Sequence, residues 1–443
     1  MPRDAIPNDI VYQIFPDRWM KSQARPRVAA GAWNWREHPI RFSSRQSWLT
    51  TSPSNQHTFF GGDLAGIRSS LDHIASLGVT ALYLTPIFQA RSTHRYDTVD
   101  YKTIDPILGT RADFEELCAD LRARGLKLVL DGVFNHTSSD HPWYCDLATR
   151  RRRYVMKDGE RTMTWMNGAT LPKLDTQSPE VVRELLSVLD AWPEADVWRL
   201  DAAHLLPQKL LRVIREKVAP RPVLVEDWFF CKHYFDEGLA EGTTNFLFRE
   251  SVRTFFKEDC SPETFLWRLR AFIDNYPARA TAMSWNLLEN HDTPRFGSLL
   301  GRERLMRALV LMFALPGTPL LYHGTEIGML GDTEGESRAP MNWDRRSWDL
   351  DLLDHVRTLG LMRREQPLLA SGRFEPLAAD NRSRSLVFER SRGHARVVVG
   401  LNDGYQPFRW KQGRSRMDLP PGGWQILLEE KGRKPRVLAG SER

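Results

Sequence analysis

Cysteine is scarce in this chain of 443 residues, and its spacing argues against several classes of protein. The four cysteines, Cys118, Cys145, Cys231 and Cys260, form no CxxC pair and no other metal-ligand spacing. This argues against a zinc module or a disulfide-stapled scaffold, and we expect four free thiols. No apolar run approaches the roughly 20 residues that a membrane-spanning helix needs. The opening segment MPRDAIPNDI also lacks the apolar stretch of a secretion signal. These absences predict a soluble, cytoplasmic protein that does not bind a membrane.

A concentrated basic surface is also missing. The formal net charge is +6, but most basic residues are interleaved with acidic ones, and the one dense run is Arg150 to Arg153. No stripe of alternating basic and aromatic residues is present, so we expect no nucleic-acid partner. With 41% hydrophobic residues, the chain can bury a large core.

Eight apolar, strand-like segments alternate with helix-like stretches. The segments are VYQIF (11–15), ALYLTPIF (81–88), KLVLDGVF (127–134), VWRLDAA (197–203), VLVED (223–227), the weaker NFLF (245–248), WNLLENHD (285–292) and TPLLYHG (318–324). Such alternation is typical of an α/β fold with parallel strands, and eight units predict a (β/α)₈ TIM barrel. An open doubly wound sheet is the alternative, but no GxGxxG motif follows a strand.

Three helices show clear sequence signals. Residues 63–77 carry apolar side chains at helical spacing and end at Gly78. Thr110 and Asp113 are spaced as a capping pair. Ser178 and Pro179 predict the start of a helix that runs through Leu189.

Two stretches interrupt the alternation. Residues 136–175 are rich in Trp, Tyr and Arg and are too long for a simple loop, so we expect a small excursion domain after the third strand. From about residue 370 the helical period stops, and strand-like segments alternate with turn residues, which predicts an antiparallel β-sandwich domain over 370–443. The barrel then comprises residues 1–135 and 176–369.

Four segments place acidic or imidazole side chains where a predicted strand ends. They are DGVFNH (131–136), VWRLDAAH (197–204), VEDW (225–228) and ENHDTPRF (289–296). In barrel enzymes the catalytic residues lie at the carboxyl ends of the strands, so these side chains should meet at one rim. A single Asp after a strand is a routine turn or cap residue, but four such segments in series indicate a carbohydrate active site.

The best candidates for catalysis are Asp201 and Glu226. Arg199 and Asp201 are two residues apart on a strand and therefore share a face, where the guanidinium should lower the pKa of the carboxyl and suit it to be a nucleophile. Glu226 follows an apolar run and precedes Trp228, surroundings that should suit a general acid and base. The structural alternatives are an Arg199–Asp201 ion pair without a catalytic role and a Glu that merely ends a strand.

A third carboxylate, Asp292, directly follows His291 and stands three residues before Arg295. It is suited to stabilise positive charge on a sugar ring, because retaining glycosidases pass through an oxocarbenium-like transition state. His136 and His291 can donate to sugar hydroxyls, or be structural. Tyr96 can stack on a sugar, or simply pack in a loop.

Together these segments resemble the characteristic regions of the α-amylase family of glycoside hydrolases. More motifs agree, namely IVYQIFPDRW (10–19), FFGGDLAGI (59–67), THRYDTVDY (93–101), LPKLD (171–175), PGTPLLYHGTEIG (316–328) and PMNW (340–343). FFGGDL, LPKLD and ENHDTPRF look most like the neopullulanase, cyclomaltodextrinase and maltogenic amylase branch. That branch usually has an additional N-terminal β-sandwich, whereas here the first strand begins within about ten residues of Met1.

The resemblance implies Asp201 as nucleophile, Glu226 as acid/base and Asp292 as transition-state stabiliser. It implies further that Tyr96, His136, Arg199 and His291 bind the substrate, with Trp228 toward the leaving group. We also predict that Arg295 binds the substrate. No cofactor is expected. Asn135 matches a calcium ligand of the family, but its partners cannot all be identified, and calcium needs several oxygen ligands. We expect a monomer rather than a lid-swapped dimer.

Three functions remain open from the sequence. The first is a retaining glycosidase acting on α-1,4-linked glucans such as maltooligosaccharides or cyclodextrins. The second is a transglycosylase, or an isomerase of the maltose-to-trehalose type, in which a sugar replaces water. The third is a non-catalytic sugar-binding relative, against which the presence of all three carboxylates argues.

Overall fold

A computed structural model describes residues 8–22, 58–145, 154–159, 161–167 and 171–441, together with the backbone of short strands at 34–35, 38–39 and 41–42. Among the helices in these ranges, none combines the length and the apolar character needed to cross a bilayer. All four cysteines are free, as predicted.

Eight parallel strands close into a barrel, which confirms the predicted fold class. They are β1 (Val11–Ile14), β2 (Ala81–Leu84), β3 (Lys127–Gly132), β4 (Val197–Leu200), β5 (Val223–Val225), β6 (Gly242–Asn245), β7 (Trp285–Leu287) and β8 (Thr318–Tyr322). The barrel closes through β1, because Val11 is in register with Ala81 on one side and with Leu320 on the other.

The prediction for the sixth strand was wrong. The strand is Gly242–Asn245, and Phe246 already begins a helix that runs to Phe256. Asn245 caps this helix by accepting a hydrogen bond from the Phe248 backbone. The buried threonines Thr243 and Thr244 form the strand, because β-branched residues suit a strand even when they are not apolar. The apolar run instead belongs to the buried face of the helix.

The helices surround the barrel and extend to the start of the C-terminal sheet. Their bounds are Leu64–Ser69, Leu71–Ser76, Arg111–Ala123, Pro142–Cys145, Pro179–Ala191, Gln208–Val218, Lys232–Asp236, Phe246–Phe256, Pro262–Ile273, Ala278–Met283, Phe296–Leu300, Arg302–Ala314, Glu334–Ser337, Leu350–Glu365 and Pro367–Ser371. Thr110 and Asp113 form the predicted capping box. Ser178 precedes its helix as predicted, but its side chain makes no capping hydrogen bond.

The predicted helix over 63–77 is divided into two short helices at Ser70. The Ser70 hydroxyl donates to the backbone oxygens of Gly66 and Ile67, a local bond that competes with helix continuation. The predicted apolar face is still fully buried. Gly78 has φ +78° and lies against the Gly360 backbone, where a side chain would not fit.

Inside the barrel, one apolar layer supports the functional rim. It contains Val11, Ala81, Tyr83, Val129, Leu224, Phe246, Trp285, Leu287 and Leu320. Because alternate residues of a strand share a face, the residues two positions further along point inward above this layer. These residues are Gln13 on β1, Asp131 on β3, Arg199 on β4 and Glu226 after β5. The barrel alternation therefore places polar side chains at its carboxyl end.

Two smaller units accompany the barrel. In the described part of the 136–175 excursion, a hairpin joins Lys157–Asp158 to Arg161–Thr162, and single bridges pair His136 with Lys173 and Val155 with Leu174. The C-terminal part forms an antiparallel sheet of strands Arg373–Asp380, Ser385–Arg392, Ala395–Asn402, Trp424–Glu430 and Arg436–Gly440. A hairpin of Phe408–Gln412 and Ser415–Leu419 packs on it through a separate apolar cluster.

Candidate active site

One guanidinium joins the proposed nucleophile to the proposed acid. Arg199 Nη1 donates to Asp201 Oδ1 at 2.9 Å, and Nη2 lies 2.9 Å from Glu226 Oε1. Asp201 follows β4 and Glu226 follows β5, and these strands are neighbours in the barrel. Glu226 Oε2 also accepts a hydrogen bond from the Ala202 backbone at 2.9 Å. The two carboxylates therefore meet at one rim, as the sequence predicted.

Arg199 binds a third carboxylate that the sequence analysis did not select. Asp131 on β3 accepts from Arg199 Nη1 at 2.8 and 3.1 Å, and it also accepts from the hydroxyls of Tyr83 and Tyr96 at 2.7 and 2.9 Å. Arg199 and Asp131 are each about 1% exposed. The sequence does carry a signal for this residue, because Asp131 is the first residue of the DGVFNH motif that His136 ends.

The electrostatics of Asp201 differ from the expectation. Burial raises the pKa of the Asp201 carboxyl, the nearby charge of Glu226 raises it further, and Arg199 lowers it by less. Arg199 does not determine the net shift in the pKa of Asp201, because three carboxylates share its guanidinium. In a buried site the cost of desolvating a charge exceeds the gain from one shared cation.

Asp292 is held at the opposite side of the rim. His291 Nε2 lies 3.1 Å from Asp292 Oδ2, and Arg338 donates to Asp292 Oδ1 at 2.9 Å. Arg338 also donates to the His291 backbone oxygen at 2.7 Å. The Asp292 side chain keeps 27% of its surface exposed, which leaves it accessible to a ligand. Sequence reasoning missed Arg338, whose only signal is its position just ahead of PMNW.

The hydroxyl of Tyr96 contacts two of the side chains at the rim. The hydroxyl donates to Asp131 Oδ2 at 2.9 Å and lies 2.7 Å from His291 Nε2. The rings of Tyr96 and His291 are nearly parallel, at 6°. Tyr96 is therefore connected by hydrogen bonds to both sides of the rim, which a loop aromatic packed only by contact would not be.

His136 lies at the end of β3, beside the excursion. Burial lowers its pKa to about 4, so the ring is neutral at ordinary pH. Its Nδ1 contacts the Asn135 side-chain amide at 3.1 Å, while its Nε2 is buried without a hydrogen-bond partner in the described ranges. A buried polar atom without a partner is unusual, but the ring is 2% exposed, so the structure encloses this nitrogen.

Trp228 differs from the other predicted residues because it is exposed, with 42% of its surface accessible. Its ring stacks on Phe246 at 3.7 Å between centroids and 10° between planes. Phe246 belongs to the barrel's apolar layer. Phe246 thus covers one face of the indole and fixes its orientation, and the exposed part of the ring is accessible to a sugar.

Arg295, which the sequence predicts to bind substrate, lies behind the rim in the structure. Arg295 is 0% exposed, its Nη1 pairs with Glu289 at 3.1 Å, and its Nη2 donates to the Ser337 backbone at 2.9 Å. Its guanidinium also lies 4.1 Å from the centre of the Tyr322 ring. Arg295 thus joins the segment after β7 to the helix Glu334–Ser337 from behind the rim, because a buried cation requires such partners.

Within the described ranges, no cluster of acidic, imidazole or thiol side chains forms the calcium site that Asn135 suggested. No group of three or more His, Cys, Asp or Glu able to hold a metal ion occurs among the residues that the structure describes. The amide nitrogen of Asn135 faces His136, and its backbone oxygen accepts from Leu174. We therefore derive no chemical step through a metal.

Comparison with known sequences agrees with this arrangement. The model of the α-amylase catalytic domain matches residues 13–360. A cyclomaltodextrinase from Geobacillus thermopakistaniensis is 32% identical over 422 residues, which cover 90% of this chain and 69% of that protein. Neopullulanase 2 from Thermoactinomyces vulgaris is 32% identical over 443 residues, with 95% and 72% covered.

Solved structures show the same likeness. The cyclic α-maltosyl-(1→6)-maltose hydrolase from Arthrobacter globiformis superposes with a TM-score of 0.86 at 30% identity, covering 96% of this chain and 98% of that one. The type III pullulan hydrolase from Thermococcus kodakarensis also reaches 0.86, at 27% identity, with 96% and 82% covered.

Proposed function

We propose a specific reaction for this chain, which belongs to the α-amylase family of glycoside hydrolases. The reaction is retaining hydrolysis of α-1,4-glucosidic bonds in maltooligosaccharides, cyclodextrins or related α-glucans, through a covalent glycosyl-enzyme. The observation that carries the proposal is the single Arg199 guanidinium that holds Asp201 and Glu226 together, at 2.9 Å from each. Retaining glycosidases require two such carboxyl groups close to one bond.

In the first step, one of these two carboxyls is the nucleophile and the other is the general acid. Asp201 attacks the anomeric carbon and forms the glycosyl-enzyme bond, while Glu226 gives its proton to the departing glycosidic oxygen. In the second step Glu226 takes a proton from water, the resulting hydroxide attacks the anomeric carbon, and the bond to Asp201 breaks. Two inversions leave the product with the α configuration of the substrate.

The other side chains at the rim suit the positive charge that develops on the sugar ring in the transition states of both steps. Besides Glu226, which carries the proton in the first step, three carboxylates, Asp131, Asp201 and Asp292, surround the site, against two guanidiniums, Arg199 and Arg338. This excess of negative charge favours a sugar ring with oxocarbenium character, since fixed charges in a buried site act without reorganisation.

The substrate class is inferred from Trp228 and from the relatives. Trp228 presents an exposed indole two residues after Glu226, a suitable platform for the leaving-group sugar. The relatives are named for action on cyclic maltodextrins and on pullulan. We therefore propose oligomeric and cyclic α-glucans as substrates.

A second reaction, transglycosylation, is favoured by the same aromatic residues. Phe229, beside Trp228, is 72% exposed, so two aromatic side chains follow the acid/base residue at the surface. If a sugar binds there after the first step, its hydroxyl replaces water as the acceptor. The chemistry of Asp201 and Glu226 is otherwise unchanged.

A product profile tests both reactions. The enzyme is incubated with maltose, maltotriose, β-cyclodextrin, pullulan, soluble starch and trehalose, and products are separated by chromatography. We expect maltotriose and β-cyclodextrin to be cleaved, with NMR showing α-anomers first. Products longer than the substrate would identify transglycosylation. β-Anomers would contradict the retaining mechanism, and inactivity on every α-glucan would contradict the proposal, provided that Asp201→Asn from the same preparation serves as the blank.

A further inference from the structure

Gln13 lies on β1 beside His291, outside every group assigned above. Its side chain is 1% exposed, and its amide nitrogen lies 2.7 Å from His291 Nδ1. An amide nitrogen only donates, so Nδ1 must accept, and the proton of a neutral imidazole must then be on Nε2. The Nε2 edge is the one that faces the rim, toward Tyr96 and Asp292.

The partners of Nε2 require the same proton position. Tyr96 donates its hydroxyl proton to Asp131, so its oxygen is left to accept from Nε2 at 2.7 Å. The Asp292 carboxylate, 3.1 Å from Nε2, can also only accept when ionised. With the proton on Nδ1 instead, the Nε2 lone pair would face that carboxylate. Both edges of the ring therefore select one tautomer.

We propose that Gln13 is a positioning residue that fixes His291 as the Nε2–H tautomer, so that the ring donates to the Tyr96 hydroxyl and the Asp292 carboxylate and holds both in place at the rim. The catalytic consequence rests on the proposed function. Gln13 acts only through His291 and does not touch the sugar. Its amide oxygen is buried without a hydrogen-bond partner in the described part of the chain, so the contact with His291 Nδ1 is the side-chain hydrogen bond that the structure gives this amide.

The surroundings keep the ring neutral. Burial lowers the pKa of His291 well below its usual value, Arg338 and Arg199 lower it further, and Glu226 opposes them. The titratable and charged groups that face this ring from the packed elements are Tyr96, Asp292, Glu226, Arg199, Arg338 and His323. Since the neutral ring carries one proton, the position of that proton decides what the site can donate.

Gln13→Glu reverses the hydrogen bond with almost no change of shape. Its carboxylate accepts from Nδ1–H, so at high pH the neutral ring presents a lone pair to the rim. At low pH the ring becomes an imidazolium, and Nε2 donates again. We expect kcat/KM of Gln13→Glu to fall with rising pH through a new ionisation, to at least roughly tenfold below the wild type, because a donor is lost.

Gln13→Met is the matched control, since it fills the same space without a donor or an acceptor. It should reduce kcat modestly and keep the shape of the wild-type pH profile, because neither tautomer is enforced. If Gln13→Glu gives a pH profile of wild-type shape, or the same profile as Gln13→Met, the proposal is overturned.

A measurement on the wild type keeps the test open if Gln13→Glu does not fold. With ¹⁵N-labelled histidine, His291 should show an unprotonated Nδ1 and a protonated Nε2 at neutral pH, assigned by comparison with His291→Asn. A protonated Nδ1 would refute the proposal. This spectrum needs no substrate, so a failure of the proposed function on α-glucans would be distinguishable from a failure of the tautomer assignment.

Discussion

Replacing Asp201 with asparagine tests whether the negative charge of this side chain destabilises the folded protein. One guanidinium, Arg199, faces three buried carboxylates, and burial together with Glu226 raises the pKa of Asp201 despite that cation. The amide keeps the shape of the side chain and removes a charge that the folded state disfavours. We therefore expect Asp201→Asn to be at least as stable as the wild type at neutral pH.

The expected gain is small. The asparagine oxygen can still accept the Arg199 hydrogen bond, which is 2.9 Å long in the wild type. Arg199 also keeps Asp131 and Glu226 as partners, so no buried cation is left unpaired. The gain in the free energy of unfolding should then be on the order of 1–2 kcal/mol, the lower part of the range found when whole buried ion pairs are replaced by apolar residues. In a chain of 443 residues it corresponds to a rise in Tm of roughly 1–2 °C.

The gain should also depend on pH. Because folding raises the pKa of Asp201 above 3.8, the folded protein retains a proton that the unfolded chain has released. The contribution of Asp201 to wild-type stability therefore falls as pH rises through that window, and Asp201→Asn lacks this titration. The difference in Tm between variant and wild type should shrink as pH approaches 3.8 from above.

Calorimetry at a series of pH values measures the difference, and product chromatography measures activity. Activity of Asp201→Asn should fall on the order of 10⁴-fold or more, as when other catalytic nucleophiles are removed.

Asp227→Asn is a matched control, because Asp227 is also buried but accepts from Phe229 N and the Tyr234 hydroxyl, both at 2.9 Å. It should lose stability and remain active. A variant Tm several degrees below the wild type at neutral pH would refute the charge argument, and residual activity above about a tenth of wild type would refute the nucleophile.

Four further predictions follow from the site and its surroundings. Glu226→Gln should regain activity on α-glucosyl fluoride when azide is added, since the first step then needs no proton and the anion replaces activated water; no rescue in a folded protein would argue against the acid/base role. Asp292→Asn should lower kcat far more than it raises KM, as expected for contacts that strengthen in the transition state, and a change confined to KM would contradict this. Burial lowers the pKa of His136 and His141 to about 4, below the usual 6.5. The unfolded chain therefore binds more protons between these values, and the free energy of unfolding should fall as pH drops from about 6.5 to about 4, by up to about 3 kcal/mol for each histidine; His141→Gln should flatten this decline in Tm, and an unchanged slope would refute it. Activity should survive prolonged EDTA treatment, whereas loss that calcium reverses would show that Asn135 and further partners do bind the metal.

The sequence by itself determined the fold class and most of the site. The eight apolar segments indicated the barrel because strand and helix periodicities are local properties of the chain. Acidic residues at strand ends indicated the rim, since parallel strands of a barrel all end on one face. Asp201, Glu226 and Asp292 were identified in this way, and their motifs added the family. The sixth strand was misplaced because its threonines carry little apolar signal.

Only the tertiary structure decided which side chains share partners. Arg199 and Asp201 are neighbours in sequence, but Asp131 and Glu226 reach the same guanidinium from other strands. Burial and the charge of Glu226 raise the pKa of Asp201 by more than Arg199 lowers it. Arg295 follows the same motif as Asp292 but is turned into the interior. Burial and shared charges depend on residues far apart in the chain, and no local pattern encodes them.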